Sequence, residues 1–202
     1  MDEPLFASSL FRCDDASSLN LTSGNRLIRK LPDDRSLGYL HKLYAPLDDT
    51  VLERMSDAIG RRLPEEFQSF LKWSNGASLF DNQLYIFGSV ARLSRNVDPE
   101  KSQPISIEDT NRAFSMTQSG RWHEGWTHIG SVVGWDSRYG IELHDDGTCA
   151  VVSEAGALSV PSFGQCITAI IDRINPCFSC DGIIDGSYAE IEMALSSLIR
   201  NH

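Results

Sequence analysis

The sequence predicts a chain of mixed helices and strands in which amphipathic helices bracket a β-rich stretch. Three observations predict it. Residues 48–61 and 64–74 carry apolar side chains at helical spacing. Residues 127–160 carry short apolar runs separated by Gly and Asp, as strands and turns do. Residues 162–174 and 188–200 return to helical spacing.

The first 46 residues are the least patterned. FASSLFR, NRLIRKL and GYLHKLYA are short apolar segments separated by turn-forming Ser, Asp, Asn and Gly. They predict one or two strands or a short helix, or an arm packed on the rest. Residues 48–61 predict the first helix. Asp48, Asp49 or Thr50 caps it, and Val51, Leu52, Met55, Ala58 and Ile59 share one face. Arg61 and Arg62 are expected to close its last turn, where cations suit the helix dipole.

Residues 62–88 read as one supersecondary unit. Pro64 suits a first helical position, and Glu65 and Glu66 follow where the dipole favours negative charge. Phe67, Phe70, Leu71 and Ser74 form a buried stripe, and Asn75-Gly76 stops the helix. A strand region then runs from Ala77 to Phe87, with Leu84 and Ile86 on one face and a turn at Asp81-Asn82. Residues 89–104 are polar and read as a loop. Ile105 to Met116 predicts a third helix carrying Asn111.

In 119–126, SGRWHEGW, Trp122 and Trp126 read as packing residues. His123 and Glu124 lack the H-E-x-x-H spacing of a metalloprotease, because His128 lies five residues after His123. His144-Asp145-Asp146-Gly147 predicts a hairpin with a primed turn. Ser162 caps a helix whose apolar face runs from Phe163 to Ile174; Asn175-Pro176 ends it, and Tyr188–Arg200 forms the last helix.

The formal net charge is −10. Residues 130–202 hold 3 basic and 10 acidic side chains, so most of the excess lies there. Such a balance disfavours direct nucleic-acid binding and attracts basic partners. No apolar run approaches the roughly 18 residues that span a bilayer. The acidic N-terminus lacks a signal-peptide pattern, so a cytoplasmic protein is expected, unless another signal delivers it. Five cysteines without a secretory signal argue for reduced thiols. Cys177 and Cys180 have C-x-x-C spacing, which suits zinc or redox chemistry, but no second pair or nearby His accompanies them. Incidental loop thiols are the plainer reading. No phosphate loop and no G-x-S-x-G elbow occurs. A binding protein without catalytic residues, metal or cofactor is therefore expected.

The run Leu63, Pro64, Phe67, Phe70, Leu71, Asn75, Gly76, Leu84, Ile86, Phe87 and Gly88 resembles the signature of the SUKH superfamily. That superfamily includes the fungal cell-wall synthesis regulator and many bacterial immunity proteins. Ile129-Gly130, Ser162-Phe163 and Asn111 resemble its later anchors. The resemblance implies an α+β fold, with a central mixed or antiparallel sheet flanked by helices. It places a SUKH-like core at about 48–174 of one domain spanning 1–202, with N-terminal and C-terminal extensions. It also implies a non-enzymatic protein that binds a cognate toxin, of basic and nuclease type, and occludes its active site. A regulatory scaffold is the alternative. The expected partner-binding residues are Asp81, Trp135, Asp136, Asp145 and Asp146, because acids around a central aromatic suit a basic protein partner.

Overall fold

The computed structural model describes residues 3–10, 18–32, 38–91, 98–117, 125–132, 139–153, 156–179 and 188–200. Among the described residues, nine strands form one antiparallel meander in which spatial order equals chain order. They are β1 (Leu19–Asn20), β2 (Arg26–Lys30), β3 (Tyr39–Leu43), β4 (Ala77–Leu79), β5 (Leu84–Ile86), β6 (Trp126–Val132), β7 (Tyr139–His144), β8 (Cys149–Ser153) and β9 (Gly156–Val160). Among the described residues, six α-helices accompany them: α1 (Ala7–Leu10), α2 (Asp49–Ile59), α3 (Glu65–Trp73), α4 (Ile107–Thr117), α5 (Phe163–Ile174) and α6 (Tyr188–Arg200). The architecture is thus the α+β class, with the sheet antiparallel rather than mixed.

The first 46 residues contribute more than the one or two strands expected. They supply α1 and three consecutive strands that extend the sheet from β4. Phe6 is fully buried, with its ring 5.8 Å from that of Phe70 and 6.1 Å from that of Phe163. An aromatic cluster of Phe6, Phe67, Phe70 and Phe163 therefore joins the N-terminal segment, α3 and α5 in one apolar core. Burying one such ring contributes roughly 2–3 kcal/mol.

The α2–α3 corner follows from its capping residues. Asp48 caps α2, its Oδ1 accepting the Val51 N–H at 2.8 Å. Gly60 ends it in the left-handed conformation at φ 75°. Arg61 and Arg62 thus lie beyond the helix, not in its last turn. Ala58 is exposed, so the inner face narrows to the buried Leu52 and Met55, with Ile59 partly buried against the core. Pro64 sits just outside α3, and α3 stops at Trp73. Ser74 is buried there and donates from Oγ to the carbonyls of Tyr44 and Gly76. Gly76 adopts φ 81°, and a Cβ at this position would lie 2.6 Å from the Ile86 carbonyl oxygen.

Three asparagines tie the connections to the sheet. Asn75 bonds both main-chain groups of Ser89. Asn111 on α4 accepts the His128 N–H at 2.9 Å and donates to the His128 carbonyl at 2.8 Å. That clamp sits where the β6–β7 register shifts, between His128 and Gly130. Asn111 is thus a structural residue, not a solvent-facing one. Asn25 accepts the Ala45 N–H and donates to the carbonyls of Pro99 and Ser102. The Glu100 carboxylate adds the N–H groups of Thr22 and Ser23, which hold its pKa below the ordinary value. The described part of 89–104, which includes a 3-10 turn at Pro99–Lys101, is therefore anchored to the β1–β2 turn.

Candidate partner-binding surface

The β7–β8 hairpin presents Asp145 and Asp146, both exposed. His144 N donates to Thr148 O at 2.8 Å and Gly147 N to His144 O at 2.9 Å. Gly147 has φ 93°, while neither Asp has positive φ. This is a three-residue loop of type I closed by a left-handed glycine, not the primed two-residue turn expected. Its left-handed residue falls at Gly147, so both aspartates keep ordinary backbone angles.

The tip is charged by its own backbone. Thr148 N donates to Asp146 Oδ1 at 2.8 Å, and His144 Nδ1 lies 3.0 Å from the same oxygen. The Thr148 N–H, then the His144 side chain, lower the Asp146 pKa to about 2. Asp146 is therefore ionised throughout the physiological range. The His144 ring packs on Trp126 at 5.0 Å between centroids, which sets the base of the hairpin.

Beside the tip lies the α2–α3 corner. One cleft of 710 Å³ runs along α2, from Asp49 to Arg61 and Arg62. A second, of 610 Å³, is lined by Arg62, Pro64, Glu65, Lys72 and Asp145, among others. Arg62 and Gln68 border both. Lys72 Nζ meets Asp49 Oδ1 at 2.5 Å and bridges the two helices. Arg61 Nη1 stands 3.8 Å from Asp145 Oδ1, too far for a hydrogen bond. Both pairs are partly exposed, so each contributes less than about 1 kcal/mol. The lining is polar and mixed in charge, with more acids than bases.

Asp81 lies elsewhere. β5 meets β6 at Leu84↔Val132, whereas β6 meets β7 at Trp126↔His144 at its other end. The Asp81 turn and the Asp145–Asp146 tip are therefore separated by the length of β6, roughly 20 Å at about 3.3 Å per residue. Trp135 and Asp136 fall outside the described residues. The expected set is thus not gathered in one patch: Asp145 and Asp146 stand together, and Asp81 stands apart from them.

Around Asp81 the backbone is unusual. Phe80, Asp81 and Asn82 have φ of 54°, 49° and 71°. Three successive non-glycine residues in the left-handed region cost roughly 1–3 kcal/mol each unless neighbours hold them. Here Asp81 N donates to Leu40 O and Phe80 N to His41 Nδ1. Ser78 Oγ donates to Asn82 Oδ1 at 2.7 Å. The Asp-Asn pair signals the turn in the sequence, since both tolerate the left-handed region; Phe80 in the same region carries no such signal.

Among the described residues no three His, Cys, Asp or Glu side chains are grouped as a metal site. Cys149, Cys166 and Cys177 are free thiols, and Cys180 lies outside the described residues. Cys149 and Cys166 are both buried, and the neighbouring Cys166 thiol, with burial, pushes the Cys149 pKa well up. No described helix is long and apolar enough to cross a membrane.

The SMI1 / KNR4 family (SUKH-1) model matches residues 46–164, more than half of the chain. The chain belongs to this family. The search of curated proteins finds no match. The matched span begins after β3 and ends as α5 starts, so β1–β3 and nearly all of α5 lie outside it while sharing its sheet and core. The family covers both toxin-immunity proteins and cell-wall regulators, and its members typically act through protein–protein interaction.

Proposed function

We propose that this member of the SMI1 / KNR4 family is an immunity-type protein. It binds a cognate bacterial toxin of basic, nuclease type in the cytoplasm and occludes its active site without catalysis of its own. The observation that carries the reading is the Asp145–Asp146 tip beside the α2–α3 clefts, where Thr148 and His144 hold the Asp146 carboxylate ionised. A fixed negative charge on a rigid hairpin raises the encounter rate with a basic partner and resembles the phosphate that a nuclease site receives. The net charge of −10 adds long-range attraction.

Asp145 and Asp146 form the centre of this surface. Asp81 belongs to a second contact area, because it lies beyond the opposite end of β6; Trp135 and Asp136 are proposed as further partner-binding residues. A partner that touches both areas spans the length of β6.

The test is co-expression with the toxin encoded beside this chain. Restored growth and a stable complex on gel filtration are expected. A toxin that stays fully active at saturating amounts of this protein would sink the reading. Stable capture of a host cell-wall regulatory protein, with no effect on any toxin, would favour the regulatory scaffold instead.

A further inference from the structure

We propose that the outer edge of β9 joins two copies of this chain, strand to strand, into one continuous antiparallel sheet. Among the described residues β9 pairs with β8 alone. The ladder closes at Ser153↔Gly156 and proceeds through Val151↔Leu158 to Cys149↔Val160 without a register shift. Residues flanking a two-residue connection form a hydrogen-bonded pair, and bonded pairs then alternate along the ladder. Gly156, Leu158 and Val160 therefore direct their main-chain groups to β8. The N–H and C=O groups of Ala157 and Ser159 point away from the sheet, and both residues are exposed.

Exposed edges invite pairing, and proteins blunt them with short strands, charges, proline or bulges. The opposite edge is blunted: β1 has two residues. β9 has five, Gly-Ala-Leu-Ser-Val, with no charge, no proline and no irregularity in its ladder. Its outward residues are small, so another backbone can approach closely.

A second copy is the occupant that fits. An antiparallel edge is its own complement under a twofold axis. An axis at Leu158 sets Ala157 opposite Ser159 of the other copy, and both such pairs are of the bonded kind. Charge selects the same place. Two chains of net charge −10 repel, and β9 itself carries no carboxylate that would add to that repulsion at the seam. α6 packs against β9.

Size-exclusion chromatography with light scattering on the full chain tests this. The wild type is expected to show twice the chain mass, dissociating on dilution. Ala157→Lys sets two ammonium groups across the seam. Ser159→Pro removes an outward N–H while sparing the bonds to β8. Each is expected to weaken the dimer at least about 10-fold, with an unchanged circular dichroism spectrum. A wild type that is monomeric at every concentration overturns the proposal, as does a dimer that Ala157→Lys leaves intact. Should Ser159→Pro fail to fold, the lysine variant still decides.

Discussion

Asn75 grips Ser89 with both halves of its amide: Oδ1 accepts the Ser89 N–H at 2.7 Å, and Nδ2 donates to the Ser89 carbonyl at 2.8 Å. The side chain acts as a one-residue strand between the end of α3 and the exit of β5. Gly88 makes room for it, since a Cβ there would overlap Asn75. Asn75, Gly76 and Gly88 are thus one device, although they are spread over 14 positions.

Asn75→Ala is expected to lower stability by about 1–3 kcal/mol, because two part-buried main-chain groups lose their partner. Gly88→Ala is expected to cost a similar amount by steric overlap. Asn75→Asp keeps the acceptor but loses the donor, and sets a carboxylate against the Ser89 carbonyl. Urea denaturation at constant m-value checks all three. An Asn75→Ala midpoint equal to the wild type's contradicts the clamp.

This device explains what the sequence could and could not disclose. Helix stripes at 52–55 and 163–174, the Ser162 and Asp48 caps and the Asp-Gly hairpin are local, so spacing and side-chain chemistry reveal them. Leu63-Pro64, Asn75-Gly76 and Phe87-Gly88 are legible as a family signature, but their mutual fit is a tertiary contact that no window contains. The first 46 residues predict one or two strands but not all three, because β1 has two residues and β3 is buried throughout except at Lys42, leaving no alternation to detect. For the site, composition supplies acids but not their positions. Asp81 and Asp145 are separated by the course of β6, which only the strand register determines.

The Phe80–Asp81–Asn82 turn makes its own demand on side chains. A β-branched residue in the left-handed region meets its own backbone, whereas glycine does not. Asp81→Val is expected to cost about 1–3 kcal/mol, and Asp81→Gly close to nothing, since released strain and added chain entropy offset each other. Thermal melts of the pair check this. Equal melting temperatures for Val and Gly contradict the left-handed turn.

His128 predicts an acid weakness. Its ring is buried between Phe87 and Phe114 and lies over Gly140. Desolvation by burial lowers its pKa from 6.5 to about 4. The unfolded chain takes up a proton near 6.5 that the folded chain refuses until about 4. The associated stability is therefore complete above pH 6.5 and is lost progressively down to pH 4, to a total of about 3 kcal/mol. Glu142 lies opposite His128 in the β6–β7 register and is also buried. His128→Gln isolates the imidazole. Its urea midpoint is expected to vary less between pH 7 and pH 4.5 than the wild type's, and an unchanged slope would falsify the assignment.

The last prediction separates steering from folding at the Asp145–Asp146 tip. Asp145 holds a long, half-exposed contact with Arg61, and Asp146 bonds chiefly to its own turn. Asp145→Asn is therefore expected to change stability by less than about 1 kcal/mol. Its effect on a basic partner is expected to be larger. Replacing both aspartates by lysine reverses the charge at the tip, and the association rate is expected to fall by about 10-fold or more at low salt. The deficit should shrink as ionic strength rises, since screening acts on rim charges first. Because Asp146 stays ionised down to about pH 2, wild-type binding should not weaken through this group between pH 7 and pH 5. Stopped-flow association with the toxin at several salt concentrations measures all of this. A double-lysine variant that associates at the wild-type rate at low salt removes the tip from the interface, even if the toxin is still neutralised.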